Sequence, residues 1–384
     1  MSTQPAPDVE IAVVGAGVVG CAVALALARR GVTVVQLEAE PQPALAASAT
    51  NSGILHTGFD SPPGELETEL ILRSAQLRPQ LLKALDVPVL QCGASVQARD
   101  QEAATAIRRL AANAVANGVS VRTEDDGSLS IPGEAVTDPV AFTLKLAAGA
   151  QRHGACLLAS WRVVAIEPAA TRLVLTGAGG ERLTTRAAVN CAGLYADEVA
   201  RLAGDDSFEI YPRKGEFLVF DPAETERLEH ILLPVPTKRT KGVLVFPTIE
   251  GMIIAGPTAV DIEDKGDWSV RPEARTEIIP KASAMHPPLA DLEPIFAYAG
   301  LRPAGRGVNY LIERSRHCER LVNVAAIRST GLTASLGIAE HVAGLVASMG
   351  VHLGPERALG PASVDIPPVP WWRRTADHRA TAAR

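Results

Sequence analysis

The sequence predicts an α/β protein: a Rossmann-like nucleotide-binding domain assembled from separated chain segments, with a β-rich α+β domain inserted between them. Three observations carry this. The first forty residues contain strand, glycine turn, helix and strand, in "EIAVVGAGVVG", "CAVALALARRG" closing on Gly31, and "VTVVQLEAE". Such a βαβ unit has parallel strands, and parallel strands belong to α/β folds. Strand–glycine–helix junctions recur at "AAVNCAGLYAD" (187–197) and "NVAAIRSTGLTAS" (323–335). Between these two junctions, residues 208 to 260 form a separate β-rich stretch with "YPRKGEFLVF", "GVLVFPTI" and "MIIAGPTAV" as strands.

The remaining elements follow in chain order. A charged, leucine-rich segment, 63–85, is a helix after the loop "NSGILHTG". "VPVLQCGASVQA" (87–98) is a strand pair, and "DQEAATAIRRLAANAVANG" (100–118) an amphipathic helix ended by Gly118. "TDPVAFTLKLAAGAQRHG" (137–154) has a capping Thr or Asp, Pro139 near the first helical position and a closing Gly154. A meander fills 155–192, and the acidic, proline-bearing stretch 261–294 mixes helix and loop. This assigns 1–86, 137–205 and 301–365 to the nucleotide domain, 87–136 and 206–300 to the substrate domain, and 366–384 to a loose tail. Trp371 and Trp372 in that tail, followed by two arginines, invite contact with a membrane surface or a partner; a disordered or packed tail accounts for them as well.

Composition removes several function classes. With 384 residues, 47% hydrophobic and 21% charged, the chain is long enough for two domains. A net charge of −6 gives no basis for a nucleic-acid partner. The five cysteines are scattered and contain no C-x-x-C pair, so they read as reduced thiols of a cytoplasmic protein, with no structural metal. "MSTQPAPDVE" lacks the basic start and apolar core of a signal peptide, and no apolar run is long enough to span a membrane. Peripheral membrane contact stays open.

Gly15-x-Gly17-x-x-Gly20 lies after a strand and before a helix, where a dinucleotide site needs it. The glycines permit the tight turn, the close approach of backbone to pyrophosphate, and helix–strand packing. The helix N-terminus supplies donors and partial positive charge. Glu38 closes the second strand where a carboxylate accepts from ribose hydroxyls. This signature does not separate NAD from FAD. Three such junctions suit a large cofactor crossing a sheet edge, and a helix beginning near Thr333 directs its positive end at a flavin pyrimidine ring.

The stretches "VVGAGVVGCAVALALARRG", "NSGILHTGFDSPPGELE", "YPRKGEFLVFD", "LPVPTKRTKGVLVFPTIEGMIIAGPTAVD", "AGLRPA" and "IRSTGLTASLGIAEHV" resemble one family. It is that of the FAD-dependent glycerol-3-phosphate dehydrogenases and oxidases, within the D-amino-acid-oxidase-like flavoprotein superfamily. The resemblance runs from about residue 9 to 365, and L-2-hydroxyglutarate oxidases share "NSG-x-x-H-x-G". It implies non-covalent FAD and a catalytic base at His56, with Ser52, Lys241, Arg302, Ser329 and Thr330 lining the site. Asn51, Ser52 and Gly53, then Gly193, and then Ser329, Thr330, Gly331, Leu332 and Thr333 are the expected cofactor contacts beside Gly15, Gly17, Gly20 and Glu38. The sequence departs from the family before Asp138, where "VRTEDDGSLSIPGEAVTDP" is short, and "LAASAT" lacks the Gly or Arg often found before the motif.

Each candidate has a plainer reading. A neutral imidazole suits removal of a hydroxyl proton, yet His56 also fits a histidine bonded to loop backbone, or one attached covalently to flavin. Arg302 offers a forked guanidinium for carboxylate or phosphate, against a surface ion pair, with Arg306 as competitor. Lys241 and Arg239 fit a solvated hairpin tip equally. Arg213 and Lys214 are adjacent on a strand, so only one of them faces a ligand. Ser329 and Thr330 fit either flavin contacts or helix capping. The expected function is oxidation of the CH–OH group of a small anionic 2-hydroxy compound, glycerol 3-phosphate first and a 2-hydroxy acid second. The rivals are an amine or amino-acid oxidase on the same fold, a flavin-binding protein without robust catalysis, and an NAD-dependent dehydrogenase. The electron acceptor, whether oxygen, a quinone or another carrier, is left open.

Overall fold

Val9–Val14 forms the middle of the nucleotide sheet because its side chains find a core on both faces. Ile11 and Val13 pack with the helix Val18–Ala28, while Val9, Ala12 and Val14 pack against the meander on the other side. A parallel strand buried on both faces needs this unbroken apolar run. In the computed structural model, which describes residues 9–98, 100–169, 171–235 and 242–382, the sheet has eight strands. Val9–Val14 pairs in parallel with Arg182–Asn190 on one side and Val34–Leu37 on the other. Cys156–Leu158 extends the sheet beyond Val34–Leu37, and Leu321–Ala325 extends it beyond Arg182–Asn190, both in parallel. The helices Val18–Ala28, Leu66–Leu85, Pro139–Arg152 and Gly331–Ser348 pack together on one face.

The second sheet has nine strands and is built on Ile210–Phe220. That strand pairs antiparallel with Phe296–Gly305 from Ile210↔Gly305 to Val219↔Phe296. The boundary expected at residue 300 therefore falls within one strand, and Arg302 belongs to the nine-stranded sheet. "VPVLQCGASVQA" is not a strand pair either. Val89–Leu90 joins Ala135–Thr137 and Ile54–Leu55 in a three-stranded sheet, whereas Ala94–Val96 joins the nine-stranded one. Gly93, at φ +67°, turns the chain from one to the other.

The tail is also not loose. Trp371–Ala382 is a helix, with Trp371 and Trp372 buried against Tyr298 and Phe296 of the substrate sheet. Further along the helix, Arg374 donates to Gln42 Oε1 (2.9 Å) and to the carbonyls of Pro43 and Ala44, and His378 meets Glu40 at 3.0 Å. The burial of two indoles, with the Arg374 and His378 contacts, helps to offset the entropy of ordering this terminal helix. Among the described residues no helix is long and apolar enough to cross a membrane.

Candidate active site

A cavity of about 410 Å³ opens between the two sheets, lined by Asn51, Ser52, His56, Arg213, Arg302, Ser329 and Thr330 among others. It shares Ala47, Asn51 and Arg328 with a narrower cavity of about 90 Å³. That second space is lined by Gly17, Ser48, Gly193, Gly331 and Leu332, so all three strand–glycine–helix junctions meet in it.

The local sequence explains the narrow end. Gly15 has φ +103°, and a Cβ there would stand 2.5 Å from the Cys191 carbonyl oxygen; a Cβ on Gly20 would stand 2.1 Å from the Gly15 carbonyl oxygen. The helix Val18–Ala28 begins at Gly17 with no side-chain cap and no acidic residue in its first turn. From the chain itself its partial positive charge meets the Ser48 hydroxyl and the Glu38 carboxylate. Ser48 Oγ accepts from Val18 N at 2.9 Å. The Glu38 carboxylate accepts from Ala16 N (2.6 Å) and Glu40 N (2.9 Å), and burial raises its pKa above the usual carboxylate range. This helix N-terminus, a half-buried carboxylate at the second strand end and a slot leading to the larger cavity form a donor and acceptor set that fits an FAD.

At the wide end, His56 follows the short strand Ile54–Leu55. Its backbone N–H donates to Thr333 Oγ1 (3.2 Å), its carbonyl accepts from Arg78 Nη2 (2.7 Å), and its ring Nδ1 lies 2.9 Å from Glu134 Oε2. Glu134 is fully buried and also accepts from Thr57 N (2.6 Å) and Thr57 Oγ1 (2.8 Å). The ring is therefore bonded to a carboxylate rather than to loop backbone. Burial lowers the Arg78 pKa to about 10. Asn113, on the helix Gln101–Ala116, and Asn117, which caps its C-terminus, tie down the carbonyls of Gly58, Phe59 and Ser61 just beyond the histidine.

Arg302 is half-buried in the cavity wall, and desolvation, helped by nearby Arg213, lowers its pKa to about 10. Among the described residues its one hydrogen bond is from Nη2 to the Thr258 carbonyl at 3.0 Å. Arg213 lines the same cavity but forks onto Asp261 (2.5 and 2.8 Å), while Lys214 points to the other face of the strand and meets Asp267 at 2.7 Å. Strand alternation thus separates the two, as expected. Arg306 is turned outward onto Glu209 and Glu263, so it does not compete with Arg302. Lys241 and Arg239 lie outside the described residues, and the adjoining Gly242 lines the cavity.

Three of the expected cofactor residues, Gly53, Thr330 and Thr333, also make contacts within the protein. Gly53 (φ +77°) lines neither cavity; a Cβ there would stand 2.3 Å from the Thr137 carbonyl oxygen, so the glycine serves the packing of the motif. Thr333, buried, donates to the Ile54 carbonyl and accepts from His56 N. Thr330 does not cap its helix: its hydroxyl donates to Glu67 Oε1 (2.7 Å) and meets Tyr310 OH (2.7 Å). Sequence reading did not single out Glu134, Arg78 or Gly215. For Glu134 the available signal was a lone carboxylate in the apolar run "IPGEAVT", since a charge buried in such surroundings requires partners. Among the described residues no group of three or more His, Cys, Asp or Glu side chains is placed to hold a metal ion.

Known proteins agree with this geometry. Residues 10–345 match the family model described as FAD dependent oxidoreductase. A glycerol 3-phosphate dehydrogenase of Caloramator mitchellensis is 28% identical over 376 residues, covering 93% of this chain and 78% of that protein. The mitochondrial L-2-hydroxyglutarate dehydrogenase of Homo sapiens is 28% identical over 281 residues, covering 65% of this chain and 61% of its own length. Among solved structures, the dithionite-reduced L-alpha-glycerophosphate oxidase of Mycoplasma pneumoniae with FAD bound superposes with a TM-score of 0.85 at 24% identity, covering 94% of this chain and 99% of that one. With a family match that spans both sheets and the whole of the cavity between them, the chain belongs to the FAD-dependent oxidoreductases.

Proposed function

We propose that the protein oxidises the CH–OH group of a small anionic 2-hydroxy compound, with glycerol 3-phosphate the first substrate and a 2-hydroxy acid of the L-2-hydroxyglutarate type the second. The observation that carries this is one cavity lined by both His56, bonded to a buried carboxylate, and Arg302, a half-buried cation whose described hydrogen bonding is to a carbonyl alone. Bound FAD supplies the acceptor for the substrate's hydride.

The chain's own residues do the rest. Arg302 binds the phosphate or carboxylate in a forked geometry, and its burial strengthens that attraction. Lys241, next to cavity-lining Gly242, adds a second cation. His56 takes the hydroxyl proton on Nε2, so the alcohol loses one proton to the protein and one hydride to the cofactor. Gly15, Gly17, Gly20 and Glu38 hold the nucleotide half, and Asn51, Ser52, Gly193, Ser329, Gly331 and Leu332 hold the remainder. The relatives acting on glycerol 3-phosphate and on L-2-hydroxyglutarate both support an anionic hydroxy substrate.

The test is anaerobic bleaching of the bound flavin by a panel containing sn-glycerol 3-phosphate, L-2-hydroxyglutarate, uncharged glycerol and several amino acids. The anionic hydroxy compounds are expected to bleach it and glycerol to fail at the same concentration. Bleaching by amino acids alone would overturn the proposal.

A further inference from the structure

The antiparallel pairs Ile54↔Val136 and Leu55↔Ala135 bring residues 56 and 134 opposite each other at the end of a short ladder. The backbone there is well anchored: Gly93 N donates to the Glu134 carbonyl at 2.8 Å. Glu134 extends inward, with no exposed surface, and meets His56 Nδ1 through Oε2 at 2.9 Å. Its other oxygen, Oε1, takes the Thr57 backbone N–H at 2.6 Å and the Thr57 hydroxyl at 2.8 Å.

We propose that Glu134 is a positioning residue that holds His56 in the tautomer with its proton on Nδ1, leaving Nε2 without one and able to accept the substrate's. A backbone N–H can only donate, so Oε1 is fixed as an acceptor. A carboxylate offers acceptors alone, so Oε2 requires a donor from the ring, and only Nδ1–H supplies it. Arg78 and Thr333 hold the His56 backbone on either side of its Cα, and the Nδ1–Glu134 bond then orients the ring. The role of Nε2 rests on the function proposed above; the tautomer does not.

Glu134→Gln gives a sharp test because it preserves shape and reverses the hydrogen-bond pattern. Thr57 N–H keeps the amide oxygen at the Oε1 position, so the NH₂ group faces Nδ1 and turns it into an acceptor. The ring proton then moves to Nε2, where it blocks proton removal. ¹⁵N spectra of histidine-labelled holoprotein read this directly, with the His56 signals assigned by their loss in His56→Gln. The expected result is Nδ1–H in the native protein and in Glu134→Asp, and Nε2–H in Glu134→Gln. With the panel compound that reduces the native enzyme, Glu134→Gln should slow flavin reduction by about a hundredfold or more while leaving substrate affinity and flavin content near native.

An Nε2–H signal in the native protein would overturn the proposal, and that measurement decides it even if Glu134→Gln does not fold. An unchanged tautomer or a native reduction rate in a folded Glu134→Gln would overturn it too. If no compound reduces the native flavin, the functional reading fails while the tautomer experiment still judges Glu134.

Discussion

The Arg302 guanidinium lies over the bare backbone of Gly215: a Cβ on residue 215 would stand 1.9 Å from Arg302 Nη2. The two residues sit on paired strands, with Arg213 opposite Arg302 and Gly215 opposite Gly300. A side chain at 215 would occupy the space that the guanidinium fills. The glycine in "PRKGE" therefore makes room for the guanidinium of cavity-lining Arg302, although it touches nothing by a side chain of its own.

Gly215→Ala should push Arg302 out of that position. The expected outcome is a substrate Kd raised about tenfold or more, equivalent to about 1.4 kcal/mol, with flavin content unchanged. Titration of the flavin spectrum with substrate checks it. An unchanged Kd would mean that Arg302 does not hold the anion from this position.

The terminal helix should matter to stability. Trp371 is 2% exposed and packs edge-on to Tyr298 at 5.9 Å, and its indole N–H has no partner among the described residues, so its contribution is packing. Trp371→Ala should cost about 3–5 kcal/mol, read as a lower denaturant midpoint. Val369→Ala, at a position 41% exposed just before the helix, should cost little by comparison. Equal midpoints for the two variants would contradict the packed tail.

Acid sensitivity has a specific contributor in Asp267. Its hydrogen bond to buried Lys214, then its bond to Ser269, hold its carboxyl at about 2, below the ordinary value. A carboxyl depressed on folding gives stability that is present above the unfolded pKa of about 3.9. That stability is lost as pH falls toward about 2. The Asp267 side chain is 38% exposed, so solvent screens much of the effect. Thermal midpoints should fall between pH 4 and 2, and the fall should be smaller in Asp267→Asn. A midpoint that rises over that window would contradict the sign.

The parts of the fold read from sequence are those encoded by local pattern. The glycines at 15, 17 and 20 and the apolar run before them define the βαβ unit because backbone approach and double-sided burial leave few alternatives. His56 and Arg302 were legible through their motifs, and both line the cavity. Glu134 was legible only as a lone carboxylate in an apolar run, because its pairing with His56 comes from a register between distant strands. Thr333 and Gly53 stood close to the motif positions, but their side-chain and backbone contacts go to Ile54, His56 and Thr137 instead of the cavity. The tail was misjudged for a similar reason: proline-rich and polar sequence reads as loose until Tyr298 and Phe296 are seen to receive its two indoles.

The central claim is that His56 removes the substrate's hydroxyl proton in this FAD-dependent enzyme. Stopped-flow measurement of anaerobic flavin reduction in His56→Ala, using the anionic hydroxy compound that reduces the native protein, tests it most directly. The predicted result is retained FAD and near-native substrate affinity, with reduction slowed by about a hundredfold or more. Reduction at a near-native rate in that variant would contradict it.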